Sequence, residues 1–129
     1  MIALDNTTKK LELVLEAAHT TNALEASVFY YDVPRQSIQH HTEFLQASSH
    51  VASNGTTTVT LLAAPAASIT RNVTTINVYN KDTVTQRVIV KIDTGTEYIL
   101  VNVSLTTKQT LVYESTTGWQ HRRAYLDSK

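Results

Sequence analysis

The residues of this chain that could carry chemistry are few, and their spacing serves it poorly. His40 and His41 are adjacent, with Glu43 and His50 close by. A transition-metal site would need imidazoles brought to one side, as in His-x-His on a strand or His-Glu-x-x-His on a helix. Neighbouring residues of a strand point to opposite faces, so a structural or solvated role is expected for these histidines. Glu12 and Glu16 fall on one face of a period-two segment, as a paired-carboxylate site requires. A solvated strand face is the simpler expectation. Serines coexist with His and Asp, yet no G-x-S-x-G elbow presents a nucleophile, and no glycine-rich loop could cradle a phosphate. The chain therefore reads as a non-enzyme, with no catalytic residue, cofactor or metal expected.

Two further residue classes bear on contacts. N-x-S/T sequons occur at Asn6, Asn54, Asn72 and Asn102, but a Thr-rich chain generates them by chance and glycosylation is not expected. The aromatic residues Tyr30 or Tyr31, Tyr79, Tyr98, Trp119 and Tyr125 could stack on sugar rings or fill an intersubunit surface. For Trp119, following Gly118, core packing is the expected role. Tyr79 and Tyr98 read as lying opposite the aliphatic faces of their strands, which reserves at least one of them for an intersubunit or intersheet position.

Composition narrows the partners. Over 129 residues, 11 basic and 11 acidic side chains cancel. A nucleic-acid binder needs a cationic surplus to displace counterions, so no nucleic acid is expected as partner, and the same balance disfavours an anionic membrane surface. Without cysteine there is no disulfide framework, thiolate metal site or thiol nucleophile. No apolar run approaches the roughly 20 residues that span a bilayer, and the N-terminal residues lack the pattern of a secretory signal. The chain reads as soluble, with no membrane partner.

The elements that must position these residues are strands. Gly and Pro are scarce (3 and 2) and Thr and Val abound, a balance that favours extended structure. Residues 1–9 read as an N-terminal arm, because Asp5-Asn6-Thr7-Thr8 is polar and turn-prone with no periodic partner. Residues 10–129 read as one domain. Leu11, Leu13 and Leu15 alternate with Glu12, Val14 and Glu16, and a strand stacks the leucines where a helix would spread them. A strand over 26–33 stops at Pro34. The pattern then degrades over 36–53 into a surface loop or irregular strand, with a short helix at 43–47 as an alternative. Asn54-Gly55 marks a turn, 56–62 a strand, and Ala63-Ala64-Pro65-Ala66-Ala67 a crossover between sheets.

From Arg71 to Trp119 four or five consecutive strands read as a meander, turning at 80–83, 93–96, 106–109 and 115–118. In it Val84, Gln86, Val88, Val90 and Ile92 face inward, as do Ile99, Val101, Val103 and Leu105. Tyr98, Leu100, Asn102 and Ser104 face outward. Strands at this spacing predict an all-β fold, an antiparallel β-sandwich or barrel, of which the sandwich is preferred.

A set of short patterns goes with this layout: Ala-Pro-Ala at 64–66, R-x-V-x-x-I-x-V-Y-N-x-D at 71–82, V-x-V-x-x-D-x-G at 88–95, Glu97-Tyr98-Ile99-Leu100, L-x-x-x-x-T-L-x-Y at 105–113 and Gly118-Trp119. Together they resemble the small β-sandwich structural proteins of tailed bacteriophages, of the head decoration (cement) or head-fibre base type. The resemblance covers about the last half of the chain. It implies an antiparallel β-sandwich of jelly-roll or immunoglobulin-like type and a non-enzymatic virion protein, assembled in the host cytoplasm, that binds the outside of a capsid as a homotrimer with the major capsid protein or another virion protein as partner. The candidate interface on this reading is Asp5, Asn6, Lys9, His40, His41, Phe44, Tyr79, Tyr98 and Trp119, carried mainly by the arm and the 36–53 loop. The alternative is a carbohydrate-binding receptor module of a tail or fibre, using Tyr98, Trp119 and that loop.

Overall fold

The computed structural model describes residues 1–34 and 45–122. Of the candidate interface, His40, His41 and Phe44 lie outside the described residues. In chain order the strands are β1 (Ile2–Leu4), β2 (Lys10–Leu15), β3 (Glu25–Pro34), β4 (Leu45–Ala52), β5 (Val59–Leu62), β6 (Ile69–Tyr79), β7 (Gln86–Asp93), β8 (Glu97–Leu105), β9 (Thr110–Glu114) and β10 (Gly118–Arg122). They form two antiparallel sheets packed face to face, a β-sandwich. The six-stranded sheet runs β10-β9-β6-β3-β4 with β1 also on β6, and the four-stranded sheet runs β5-β2-β7-β8.

Period two decides which side chains fill the space between the sheets. Leu11, Leu13 and Leu15 of β2 are buried, as are Val88 and Val90 of β7, and they meet Val28, Ile76 and Val78 of the other sheet. Each such side chain contributes about 1.5–3 kcal/mol when fully withdrawn from water. The proline-centred 63–67 segment does carry the chain from one sheet to the other, since β5 and β6 belong to different sheets. Arg71 fastens this crossover. Its guanidinium donates to the Ala63 carbonyl (2.8 Å), pairs with Asp32 (3.1 Å) and lies 5.1 Å over the Tyr30 ring.

Four expectations from the sequence need correction. Residues 1–9 are not a free arm. Ile2, Ala3 and Leu4 pair with Val73, Asn72 and Arg71 of β6, and Leu4 is fully buried. β9 covers β6 only from Thr75 to Tyr79, which leaves the Arg71–Val73 edge for β1. The polar residues after it form a local turn, in which Asn6 Oδ1 accepts the Thr8 N–H (2.9 Å) and Lys9 pairs with Asp5 (3.3 Å).

Arg71 to Trp119 is likewise no meander. β6 lies in one sheet, the β7–β8 hairpin in the other, and the β9–β10 hairpin returns to the first. Alternation reports which face is buried and says nothing of which strand is the neighbour. The described part of the 36–53 segment is a regular strand, β4, paired along β3 from Glu25 to Asp32. As an edge strand it is exposed over most of its length, so no alternation announces it.

The fourth correction concerns β8. Val101, Val103 and Leu105 pair with Val90, Val88 and Gln86 as expected, but a bulge shifts the register so that Ile99 lies opposite Lys91 and Tyr98 opposite Ile92. One extra residue reverses every facing beyond it. Leu100 then packs on the core, Ile99 turns outward, and Tyr98 takes the inward row at the strand's exposed end. Val84, read as inward, sits in the β6–β7 crossover and is also exposed.

Candidate functional site

The residues singled out for contacts are scattered. Asp5, Asn6 and Lys9 make the turn after β1. Tyr79 ends β6, opposite Glu25 and Thr110, and is half-buried. Trp119 lies opposite Tyr113 with ring centroids 5.0 Å apart and packs partly against the core, in the role expected for it. Tyr98 is 58% exposed and its neighbour Ile99 61% exposed. His50 is held at both ring nitrogens, Nδ1 by Ser27 Oγ (2.8 Å) and Nε2 by Ser48 Oγ (3.0 Å), with the Phe29 ring edge-on at 6.0 Å. These bonds occupy the nitrogens a metal would use.

Two buried carboxylates were not singled out as such, and they lie in opposite surroundings. Asp82, in the β6–β7 crossover, is fully buried. Its Oδ1 accepts the backbone N–H groups of Thr21 (2.7 Å), Asn22 (3.1 Å) and Thr83 (2.9 Å), and its Oδ2 those of Thr20 (2.9 Å) and of the Gln86 side chain (2.8 Å). The donor from Thr20 is the chief cause that holds this carboxyl well below its ordinary value of 3.8. Burial opposes the shift, while Gln86, Asn22 and Thr21 reinforce it. Asn80 completes the knot by accepting the Asp82 N–H (2.9 Å) and donating to the carbonyls of Val84 (3.0 Å) and Leu105 (2.8 Å). One aspartate thus ties the β2–β3 loop to the β6–β7 crossover and to the start of β7.

Next to this knot, Ser53 Oγ accepts the Leu24 N–H (2.9 Å) and lies 2.7 Å from His19 Nε2, which also accepts the Gly55 N–H (3.3 Å). This Ser–His pair has the chemistry of a dyad. Ser53 is only 4% exposed, however, and the pair closes a loop rather than facing a substrate.

Glu12 is the second buried carboxylate. It lies on the outer face of the four-stranded sheet, opposite Lys91 on β7 and Thr60 on β5, and is only 6% exposed. The solvated face expected for it is thus incorrect; only Glu16, whose side chain is 64% exposed, fits that reading. Lys10 Nζ stands 3.4 Å from Glu12 Oε2, while Oε1 has no hydrogen-bond partner among the described residues. Two rungs along, Asp93 faces both Lys10 and Glu97. One carboxylate oxygen from each of Glu12, Asp93 and Glu97 lies within 4.8 Å of the others. Lys91 Nζ binds Glu97 Oε1 (2.9 Å), and Asp93 Oδ1 accepts the Gly95 N–H (2.8 Å).

The corner where β7 turns into β8 therefore gathers a carboxylate cluster on the outer face and the exposed Tyr98 and Ile99 beside it. The period-two placement of Glu12 and Asp93 was readable from the sequence. Their adjacency was not, because it requires knowing that β2 pairs with β7. The fold is an all-β two-sheet sandwich. Comparison with protein-family models, with curated proteins and with solved structures gives no match.

Proposed function

We propose that this chain is a non-enzymatic structural subunit of a tailed-phage particle, binding the outside of the capsid as a decoration protein or fibre base. The observation that carries the reading is the exposed Tyr98–Ile99 pair on β8, a strand at the edge of its sheet. Exposed aromatic and aliphatic side chains on a rigid strand suit a packed protein–protein contact. The patterns that resemble phage structural proteins add the class of partner, a capsid or other virion protein. Contacts assigned to the first nine residues pass to this corner, since β1 is committed to its own sheet. A homotrimer remains part of the proposal.

A sugar-binding role needs an open aromatic platform. Trp119 is turned against Tyr113, which leaves Tyr98 as the open one of the two aromatics named for that task and makes the receptor reading the weaker one.

The test is immunogold labelling of phage particles with antibody to this chain, paired with a Tyr98→Ser/Ile99→Ser variant. Labelled heads that lose occupancy in the variant are the expected result. Unlabelled particles, or sugar-selective binding on a glycan array, would overturn the proposal.

A further inference from the structure

We propose that Glu12, Asp93 and Glu97 form a binding site for a calcium-sized divalent cation on the outer face of the four-stranded sheet. The cluster is supported by an independent observation: Glu12 is more than nine-tenths buried, yet its Oε1 has no donor among the described residues. Buried carboxylate oxygens are ordinarily paired, since an orphaned one forfeits hydration without compensation. The contrast with Asp82, which has five donors, shows that this fold can satisfy a buried carboxylate. Glu12 retains an open acceptor and belongs to a group with two more carboxylates.

The donor set selects the ion. Three carboxylates form a hard oxygen site, suited to calcium or magnesium rather than to soft metals. Two oxygens on one ion stand at most twice the metal–oxygen distance apart, about 4.6–5.2 Å for Ca²⁺ and about 4.0–4.2 Å for Mg²⁺. The three oxygens lie within 4.8 Å of one another, a span that a calcium-sized ion can bridge after a small inward adjustment of the side chains. Asp93 is fixed by its bond to the Gly95 amide and Glu12 by burial, while Glu97, with its side chain 52% exposed, can adjust to the ion. Water would fill the remaining positions.

Two ammonium groups compete with the cation and set its affinity. Lys91 holds Glu97 at 2.9 Å, and Lys10 holds Glu12 loosely at 3.4 Å with its side chain 38% exposed. Together they cancel two of three negative charges, so binding is weak, with a Kd on the order of 10⁻⁴–10⁻³ M. Removing a lysine should strengthen it.

The experiment is calorimetric titration of the full chain with CaCl₂ at constant ionic strength. Saturable one-site binding is expected, reduced at least tenfold in Asp93→Asn and strengthened severalfold in Lys10→Met. Asn keeps the oxygen that accepts the Gly95 N–H, and circular dichroism checks that both variants fold. No saturable heat up to about 10 mM Ca²⁺, ten times the upper end of that range, overturns the proposal, as does an Asp93→Asn isotherm indistinguishable from the parent. Loss of capsid binding with calcium binding intact would count against the proposed function and leave this site standing.

Discussion

Among the described residues two carboxylates are buried, and they differ in the company they keep. Asp82 receives five hydrogen bonds from four backbone amides and one side-chain amide. Glu12 receives one long contact from Lys10 and leaves an oxygen orphaned. A buried charge whose lone pairs are filled by its own chain has a structural role, because its removal strands the donors around it. One whose lone pairs stay empty contributes little to the fold and is free to serve a ligand. Burial alone does not separate these cases; the count of donors does.

The strongest attack on this comparison is Asp82→Ala. Four half-buried amides and the Gln86 side chain would lose their acceptor together, and the β2–β3 loop would lose its tie to the β6–β7 crossover. Thermal unfolding should fall by roughly 10 °C or more, the largest loss of any single substitution considered. A pH titration gives the same contrast in the parent chain. Folded Asp82 binds its proton less readily than the unfolded chain, for which 3.8 is the ordinary value. Its contribution is therefore present in full above about that pH and is lost as pH falls through the lower folded value. Denaturation midpoints measured from pH 6 downward should drop below pH 4 in the parent and more shallowly in Asp82→Asn. Equal slopes would remove Asp82 from its assigned place.

Next in size is Leu4→Ala. Leu4 is fully buried, and truncating a core leucine typically costs about 2–5 kcal/mol. Urea unfolding of this variant, or of a chain lacking residues 1–8, measures how far β1 belongs to the sheet. An unchanged midpoint would return those residues to the status of a detachable arm.

How much of this was legible in sequence depends on the distance over which a signal acts. Period two in Leu11–Leu15 and Val88–Ile92 marked the buried faces, and Asn54-Gly55 marked a turn, because both signals are local. Ile2 and Leu4 were too short a run to outweigh the polar residues after them, and β4 lacked alternation because an edge strand has little to bury. The Leu100 bulge left no local trace. Reading Ile99 as inward followed from an alternation that one extra residue breaks. Residues quoted for the phage resemblance, Arg71, Asn80 and Asp82 among them, turn out to fasten crossovers. That accounts for their spacing through the fold and leaves partner identity to experiment.

The Asn54-Gly55 turn offers a smaller, cleaner test of the Asp82 end of the sandwich. Gly55 has φ of +58°, and a Cβ there would stand 3.2 Å from the Ala18 Cα, backbone that is itself tied down when Gln86 donates to the Ala18 carbonyl (3.2 Å). Left-handed backbone and a close approach act together, so Gly55→Ala should cost about 1–2 kcal/mol in chemical denaturation. A neutral result would mean that this end tolerates adjustment, and the rigidity assigned to the Asp82 knot would need revision.

The smallest expected effect is the most discriminating. In calcium-free buffer, Glu12→Gln removes a buried charge that is incompletely paired and gives up one loose ion pair with Lys10, so the two changes oppose each other. Stability should move by less than about 1 kcal/mol in either direction, although Glu12 is almost as buried as Asp82. The neutral side chain keeps the shape, and its amide group can donate toward Asp93 or Glu97, replacing like-charge crowding with a hydrogen bond. If Glu12→Gln instead unfolds the chain as readily as Asp82→Asn, then Glu12 is structural. The distinction between a filled and an open carboxylate would then fail at its own test site. If it is neutral without calcium and abolishes the stabilisation that calcium gives the parent chain, the same residue has been separated from folding and assigned to the ion.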